Sequence, residues 1–553
     1  MSEKTIGSNL QNWSFGKYYD QEEQQAYLII HFTSQGKLAL TPFQVLYSEY
    51  ANPRLVMKKL LDSGADIDPS TDMQSLKDRL SNLDVTDGLY VQHVGHCGSA
   101  FLLPPQQFGH SRHKIIVSES IANRSRREFS TRGTYDEWSD EIAKPSAYSS
   151  YCVFGIIYAL ASPTYGELVL DEGVIFNFAG KSGLGKTTVA LIAKSVMGQA
   201  EKLQTFSITD RALCESLAAS SDTLYVLDDW EKHNTPGKVS KRLQQVTHIA
   251  TSGSSKAIAD AMKETFRNCN WCCPMFISGP TTVELQAMQD NLMRTDGDRR
   301  RMIDIPIQTD DANGIWDTLP DGESPGEWSD RVKKAASLQY GTLFPKWLEF
   351  IMDDREGFID DLKSYLGEYE AEQEMPGDSG VERIITRKFG VAYAAGLKAI
   401  DEGLLPWDEN IVKDAVRKLH SLARNATQSK AQIMRRLLLK INESTSDDKL
   451  YPTVKKASDV NFTAKQRITG FITENNKGYY LYISLSVLER MLGSKTNANL
   501  FIESMVRLRG IVHGSGGKTT VQQIIKVRKR DFRTRFLKID LTVFDAEVEP
   551  YLD

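Results

Sequence analysis

The chain has 553 residues, of which 41% are hydrophobic and 25% charged, with a formal net charge of -5. At roughly 100–200 residues per domain, that length predicts about three to five domains, each able to bury a core of normal size. The slightly acidic balance excludes a globally basic protein that coats nucleic acid, so any nucleic-acid contact has to come from a local patch.

The opening segment, MSEKTIGSNLQNW, is polar and has no apolar h-region, and no run of 18 apolar residues occurs. Neither a secretory signal nor a membrane span is therefore expected. The cysteines (Cys97, Cys152, Cys214, Cys269, Cys272 and Cys273) are sparse and unevenly spaced, which suits a reducing cytoplasm better than a disulfide framework.

Residues 1–85 mix β-like runs such as Tyr27–Phe32 with a helical stretch near Pro53–Ser63, and read as an N-terminal accessory domain. Residues 86–170 carry apolar runs at Lys114–Val117 and Val153–Ala161, an α+β region that leads into an α/β segment. His93, His96, His110 and His113 form two H-x2-H pairs that zinc would accept, but the spacing matches no known site and histidines in polar loops are common. Residues 171–327 alternate strand and helix patterns, the signature of a parallel α/β sheet. Residues 328–425 follow a helical apolar period. Residues 426–465, with the segment NESTSDDK, read as a linker, and residues 466–553 as a small α+β module.

The chemistry begins at residue 174. Val174-Ile175-Phe176-Asn177-Phe178 suits a buried strand. It leads into Gly180-Lys181-Ser182-Gly183-Leu184-Gly185-Lys186-Thr187, a full match to G-x-x-x-x-G-K-[ST]. Thr188 comes next, and Val189, Ile192, Ala193 and Val196 then recur at helical spacing. Glycines let backbone N–H groups converge on phosphate without a Cβ clash, and the helix N-terminus adds partial positive charge. Lys186 is suited to neutralising β/γ-phosphate charge, and the Thr187 hydroxyl to ligating Mg2+. ATP and Mg2+ are the expected cofactors.

About 40 residues on, Thr223-Leu224-Tyr225-Val226-Leu227-Asp228-Asp229 is an apolar strand ending in two carboxylates. Asp228 is expected to hold the metal and Asp229 to polarise the attacking water. Trp271 to Gly279 reads as the next core strand, after which either Ser278 or Thr281 is placed to meet the γ-phosphate or the water. Asp298-Arg299-Arg300-Arg301 then sets three arginines before the apolar stretch Met302 to Pro306. An arginine reaching a neighbouring subunit's γ-phosphate would stabilise charge in the transition state.

These motifs resemble the bacterial family catalogued as domain of unknown function 927, a helicase-like P-loop ATPase family. The resemblance runs over GTYDEW, GKSGLGKTT, LYVLDDW, DRRRMIDIP and RKFGVAYAAGLKAIDEGLLPW, covers most of residues 85–425, and is loose over the first 85. It implies a ring-forming AAA+ core near superfamily 3 and the minichromosome maintenance helicases, with a parallel sheet and a helical lid. It also implies a hexameric homo-oligomer threading single-stranded or forked DNA, in replication or maintenance of a bacterial mobile element. By motif, it points to Arg301 as the arginine finger and to Arg383 and Arg387 as lid residues where a phosphate-sensing arginine is expected. Lys256 falls in the expected pore hairpin as a DNA contact. One departure is Asp229, where many AAA+ proteins carry Glu.

Lys526 to Lys538 holds seven basic residues and one acid. Helix-like stretches at Leu485–Leu492 and Asn499–Leu508 and a glycine-rich turn at Gly514–Gly517 precede it, which together suggest a winged-helix-like domain. Its basic wing (Lys526, Arg528, Lys529, Arg530, Arg533, Arg535) would bind phosphates; a solvated strand face is the plainer reading. The expected activity is thus ATP-driven translocation on or unwinding of DNA. Two alternatives stay open: an ATP-driven remodeller or defence ATPase acting on a protein partner through residues 1–85 or 466–553, and a nucleotide switch that does not hydrolyse.

Overall fold

A computed structural model describes residues 10, 13–20, 25–34, 37–38, 43–82, 87–169, 173–201, 203–232, 239–255, 269–290, 294–307, 313–375, 378–426, 453–463, 468–475, 478–491, 502, 505–506, 510–514 and 517–541. The chain forms two units, Met1–Thr427 and Gln428–Asp553.

The first unit opens with a mixed sheet of β1 (Ser14–Asp20), β2 (Gln25–His31), β3 (Phe43–Leu46), β4 (Asp87–Val91) and β5 (Lys114–Val117), in the order β5-β4-β1-β2-β3. Helices α1 (Pro53–Asp62) and α2 (Pro69–Ser81) each place proline in the first turn after a side-chain cap, Asn52 and Asp68, the arrangement that satisfies orphan N–H groups. Their apolar faces (Val56, Met57, Leu60, Leu76, Leu80) pack with Leu28, Ile30 and Val45. Because β1 pairs in parallel with β4, the sheet crosses residue 85, and the domain border expected there is not one. The pairing joins strands distant in sequence, which local composition does not reveal.

A second, all-parallel sheet holds the phosphate loop. Its strands are β6 (Ile175–Ala179), β7 (Gln204–Thr205), β8 (Tyr225–Asp228), β9 (Met275–Gly279) and β10 (Met302–Pro306), in the order β7-β8-β9-β6-β10. Every residue of β6 and β9 is buried, as expected of central parallel strands covered on both faces. On one face lies α3 (Ser150–Ala161), buried all round, so it behaves as a core helix rather than an amphipathic one. Gly155 lets it close on α4 (Lys186–Met197), where a Cβ would stand 3.2 Å from Val189. Phe154 meets Phe176 edge-on at 5.1 Å, a contact worth about 0.5–1.5 kcal/mol beyond its area. The expected core boundary at residue 171 therefore falls too late, since α3 belongs with the sheet. Further helices of the unit include α5 (Asp296–Arg301), α6 (Pro325–Leu338), α7 (Arg355–Gln373), α8 (Gly380–Asp401) and α9 (Glu409–Ala426), so the helical character expected for 328–425 is observed.

The second unit is a six-stranded mixed sheet of β11 (Thr453–Val454), β12 (Asn461–Phe462), β13 (Gly470–Asn475), β14 (Gly478–Ile483), β15 (Thr520–Val527) and β16 (Arg530–Asp540), in the order β11-β13-β14-β16-β15-β12. Leu481 and Ile483 face α10 (Leu485–Met491), while Tyr480 and Tyr482 face Phe471 and Phe536, the period-two alternation of a sheet covered on both sides. Residues 453–463 supply two edge strands, so the expected linker is too long at its C-terminal end. The helical stretch expected at Asn499–Leu508 lies mostly outside the described residues. The described residues of this unit include the six-stranded sheet, α10 and the long hairpin of β15 and β16.

Candidate functional site

The glycine loop leaves the C-terminal end of β6 and feeds α4. Gly183 and Gly185 have φ values of +88° and +97°, a left-handed backbone that glycine adopts without a Cβ penalty. Gly185 is doubly constrained, since a Cβ there would stand 2.7 Å from Ile315. The Lys186 ammonium lies across the loop and donates to the carbonyls of Gly180 (2.5 Å) and Lys181 (2.9 Å). Burial pushes this lysine below its usual range, while Asp229, Asp228 and Glu231 pull it back up. The Lys181 side chain is exposed and contributes its carbonyl alone to this arrangement.

The acidic strand β8 delivers both carboxylates to the loop. Thr187 Oγ1 donates to Asp228 Oδ2 at 3.2 Å, and Ser278 Oγ donates to Asp228 Oδ1 at 2.6 Å. The Asp229 N–H in turn donates to Ser278 Oγ at 3.0 Å. Ser278, fully buried at the end of β9, therefore orders both acids at once, because β9 lies between β6 and β8. Asp229 has φ +56°, a left-handed conformation that Asp tolerates better than most side chains. Trp230 anchors the turn. Its indole lies over Gly279, where a Cβ would stand 1.7 Å from Nε1, and donates to Asn177 Oδ1 at 3.2 Å.

These groups line a cleft of about 500 Å3 with Ser182 to Thr188, Asp229, Asn313, Gly314, Trp316, Ser329 and Lys333. That volume lies within the usual range for small-molecule sites, roughly 300–1,000 Å3. The wall from residue 313 to α6 is absent from the sequence reading. Asn313-Gly314 is a turn signal, but nothing local shows that this turn folds back onto the loop. It does: at Gly314 (φ +65°) a Cβ would stand 2.8 Å from the Leu184 carbonyl. Thr187 and Asp228 together form a hard oxygen pair of the kind Mg2+ takes, and the loop's backbone with Lys186 fits a polyphosphate.

The arginines lie elsewhere. In the parallel register Ile175 pairs with Met302 and Ala179 with Pro306. Arg301, just before Met302, is thus at the opposite end of the sheet from the loop, about 16 Å away at some 3.3 Å per strand residue. It donates to the Gly297 carbonyl of its own helix at 3.2 Å. Arg299 is held by Glu284 and Asp296. Arg387, expected to sense phosphate from the lid, pairs with Glu370 at 3.4 Å, and Arg383 with Glu374 at 3.5 Å. Lys388 beside Arg387 bonds the carbonyls of Gly173 and Arg300, so this part of α8 sits at the sheet's far end and the sequence expectation for Arg387 is corrected. Lys256 lies outside the described residues.

In the second unit the cross-strand pairs Gln522–Arg535, Ile524–Arg533 and Lys526–Asp531 put Lys526, Arg533 and Arg535 on one face of the hairpin. Arg530 pairs with Val527 on the other. Arg528 and Lys529 form the turn, both with positive φ (51° and 63°), and are tied to β12 through Phe462, Thr463 and Asn461. Among the described residues no group of three or more His, Cys, Asp and Glu could hold a metal ion, and the half-buried His96 has its Nε2 2.9 Å from the Pro163 carbonyl. None of the six cysteines is disulfide-bonded. Among the described residues no helix is long and apolar enough to cross a membrane.

A parallel sheet with a glycine loop between its central strand and a helix, facing paired carboxylates, defines a helicase-like P-loop fold. Residues 17–265 match the family model described as "Domain of unknown function (DUF927)". The match reaches well into the first 85 residues, where the motif resemblance is loose, and ends before the arginine motif. Over 97% of this chain and 94% of the other, the fold is similar to the solved structure titled "SCCmec type IV Cch - active helicase", with a TM-score of 0.59 and 16% identity. A second structure, "The A form apo structure of NrS-1 C terminal region-CTR", aligns over 95% of this chain and 96% of its own with a TM-score of 0.33 and 13% identity, too low to bear on the fold. No curated protein matches the sequence.

Proposed function

We propose that the chain is an ATP-hydrolysing AAA+ motor that assembles with copies of itself and translocates on or unwinds DNA. The observation that carries this reading is the convergence of Lys186, Thr187, Asp228, Asp229 and Ser278 on one cleft while Arg301 stands at the sheet's opposite end. The cleft brings together groups for phosphoryl transfer to water, and a second copy can add the Arg301 cation to it.

Mg2+-bound ATP supplies the phosphoanhydride and its charge when bound. Lys186 exchanges its two carbonyl partners for phosphate oxygens, and Thr187 with Asp228 holds the metal. Ser278 keeps Asp228 oriented and fixes the Asp229 backbone, so that the Asp229 carboxylate can orient a water and accept its proton. Arg301 of one subunit completes the neighbour's site, a contribution of about 10³–10⁵ in rate where such arginines act. DNA as the track is supported by the likeness to a structure titled as an active helicase and by the basic hairpin face. At the hairpin turn, two non-glycine residues hold left-handed backbone at a cost of about 1–2 kcal/mol each, a strain of the sort that accompanies function. In this reading the activity serves replication or maintenance of a bacterial mobile element, which the family resemblance supports.

The test is ATP turnover by the purified protein with and without single-stranded and duplex DNA, beside Lys186→Ala. Stimulation by DNA that the variant abolishes is the expected result. Turnover indifferent to DNA would replace this reading with an ATP-driven remodeller acting on a protein. No turnover would leave a nucleotide switch.

A further inference from the structure

A buried polar chain outside the cleft joins the acidic turn to the helix that carries the arginines. It starts at Trp230, whose indole N–H donates to Asn177 Oδ1 at 3.2 Å. The same amide donates through Nδ2 to Asp304 Oδ1 at 2.7 Å. Asp304 Oδ2 accepts from Arg294 Nη1 at 3.2 Å. Arg294 Nη2 then donates to the carbonyls of Asp298 (3.0 Å) and Met302 (2.5 Å). Asn177, Trp230 and Asp304 are at most 1% exposed and Arg294 9%.

For stability alone this chain is a poor choice, because a buried ion pair seldom outperforms apolar packing of the same volume. Its geometry suits another purpose. The Asn177 amide accepts on one side and donates on the other, so its orientation links the two ends. One end is the residue after Asp229. The other grips two carbonyls that bracket Arg299, Arg300 and Arg301. Asn177 itself sits on the strand that feeds the phosphate loop, with both of its polar atoms directed away from the cleft.

We infer that Asn177, Asp304 and Arg294 are positioning residues that couple the acidic turn of one subunit's nucleotide site to the arginine helix it presents to its neighbour. When Asp229 and Ser278 meet the γ-phosphate, the Trp230 indole sets the Asn177 amide. Through Asp304, that amide fixes Arg294 and the pitch of α5. The inference rests on the hydrolysis reading above.

The test is Asn177→Leu, which removes the hydrogen bonds to Trp230 and Asp304, and a longer one to the Thr281 carbonyl at 3.5 Å, at nearly constant volume, assayed for kcat, for binding of a fluorescent ATP analogue and for thermal melting. Expected is a loss of kcat on the order of tenfold with analogue affinity within about twofold of the parent's and the fold retained. Arg294→Lys, which keeps a cation beside Asp304 but loses the two-pronged grip on α5, is expected to show the same kcat-selective loss and serves where Asn177→Leu does not fold. Parental kcat in Asn177→Leu, or loss of analogue binding in step with kcat, would overturn the inference. If the parent protein itself shows no turnover above Lys186→Ala, the hydrolysis reading has failed instead.

Discussion

Thr187 Oγ1 and Asp228 Oδ2 stand 3.2 Å apart across the mouth of the cleft, brought there by two elements some 40 residues apart in sequence. Ser278 holds the other Asp228 oxygen at 2.6 Å, leaving the Oδ2 side for a cation. Asp228→Asn keeps an acceptor for the Ser278 hydroxyl and removes only the charge. Turnover should fall by about 10²–10³, the scale of losing one preorganised electrostatic partner, and the Mg2+ concentration for half-maximal activity should rise by about 10–100-fold. A Mg2+ titration of ATPase activity decides it, and superimposable curves for variant and parent would remove Asp228 from the metal site.

Arg301 lies at the end of the parallel sheet away from its own phosphate loop, so in the proposed motor it would act on a neighbouring chain's site. Arg301→Ala and Lys186→Ala should each be nearly inactive alone. Mixed in equal amounts, they should regain part of the parent's activity, because some interfaces then join an intact loop to an intact arginine. The measurement is ATP turnover across mixing ratios. A flat, inactive profile would show that Arg301 does not act across an interface, and full activity of Arg301→Ala alone would show that it is not needed.

His420 on α9 is wholly buried. Its Nδ1 lies 2.8 Å from the Tyr369 hydroxyl, and its Nε2 accepts from Arg424 at 3.1 Å. Burial first, then the Arg424 charge, pushes its pKa down to about 3 from 6.5. The unfolded chain therefore takes up a proton as pH falls below 6.5 while the folded chain does not. The stabilising contribution is complete above 6.5 and is lost on the way to 3, at up to about 1.4 kcal/mol per pH unit. Asp222, pushed up to about 6 from 3.8 chiefly by burial, works in the opposite sense, since its folded form takes up a proton first as pH falls from 6 to 3.8. The informative quantity is thus a difference: denaturant unfolding of the parent and of His420→Gln at pH 7 and pH 5. The parent should lose more stability than the variant on acidification, and equal losses would count against a neutral buried His420.

The parts of the site that are legible in the sequence are local. Gly180 to Thr187 announces itself because a phosphate cradle needs strand, glycines and helix in immediate succession. Asp228 and Asp229 announce themselves because an apolar strand ending in two acids follows a complete phosphate loop about 40 residues on. Ser278 is reached by tracing the strand to its end, though Thr281 is an equal choice until the hydrogen bonds to Asp228 and Asp229 separate them. The wall of the cleft is not legible, because the packing of Gly314 on Leu184 is a long-range fact with no local pattern. Arg387 misleads because position within a helical lid says nothing about which end of the sheet the helix meets. The same limit governs the fold: β11 and β12 are two-residue strands, too short to show alternation, and they pass for linker.

Asp229 carries a left-handed backbone in the position proposed above to orient the water, and this narrows what the site can become. Asp, Asn and Gly hold that conformation most readily, whereas Glu brings a longer side chain to a backbone it seldom adopts. Asp is therefore the one acid well suited to the position, which accounts for the departure from the glutamate more common in the relatives it resembles. Asn and Gly each lie one nucleotide change away from Asp, and both would leave the turn intact while taking away the base. Inactive descendants of this protein should then be well folded, still able to close on nucleotide, and hard to tell from working copies by stability alone.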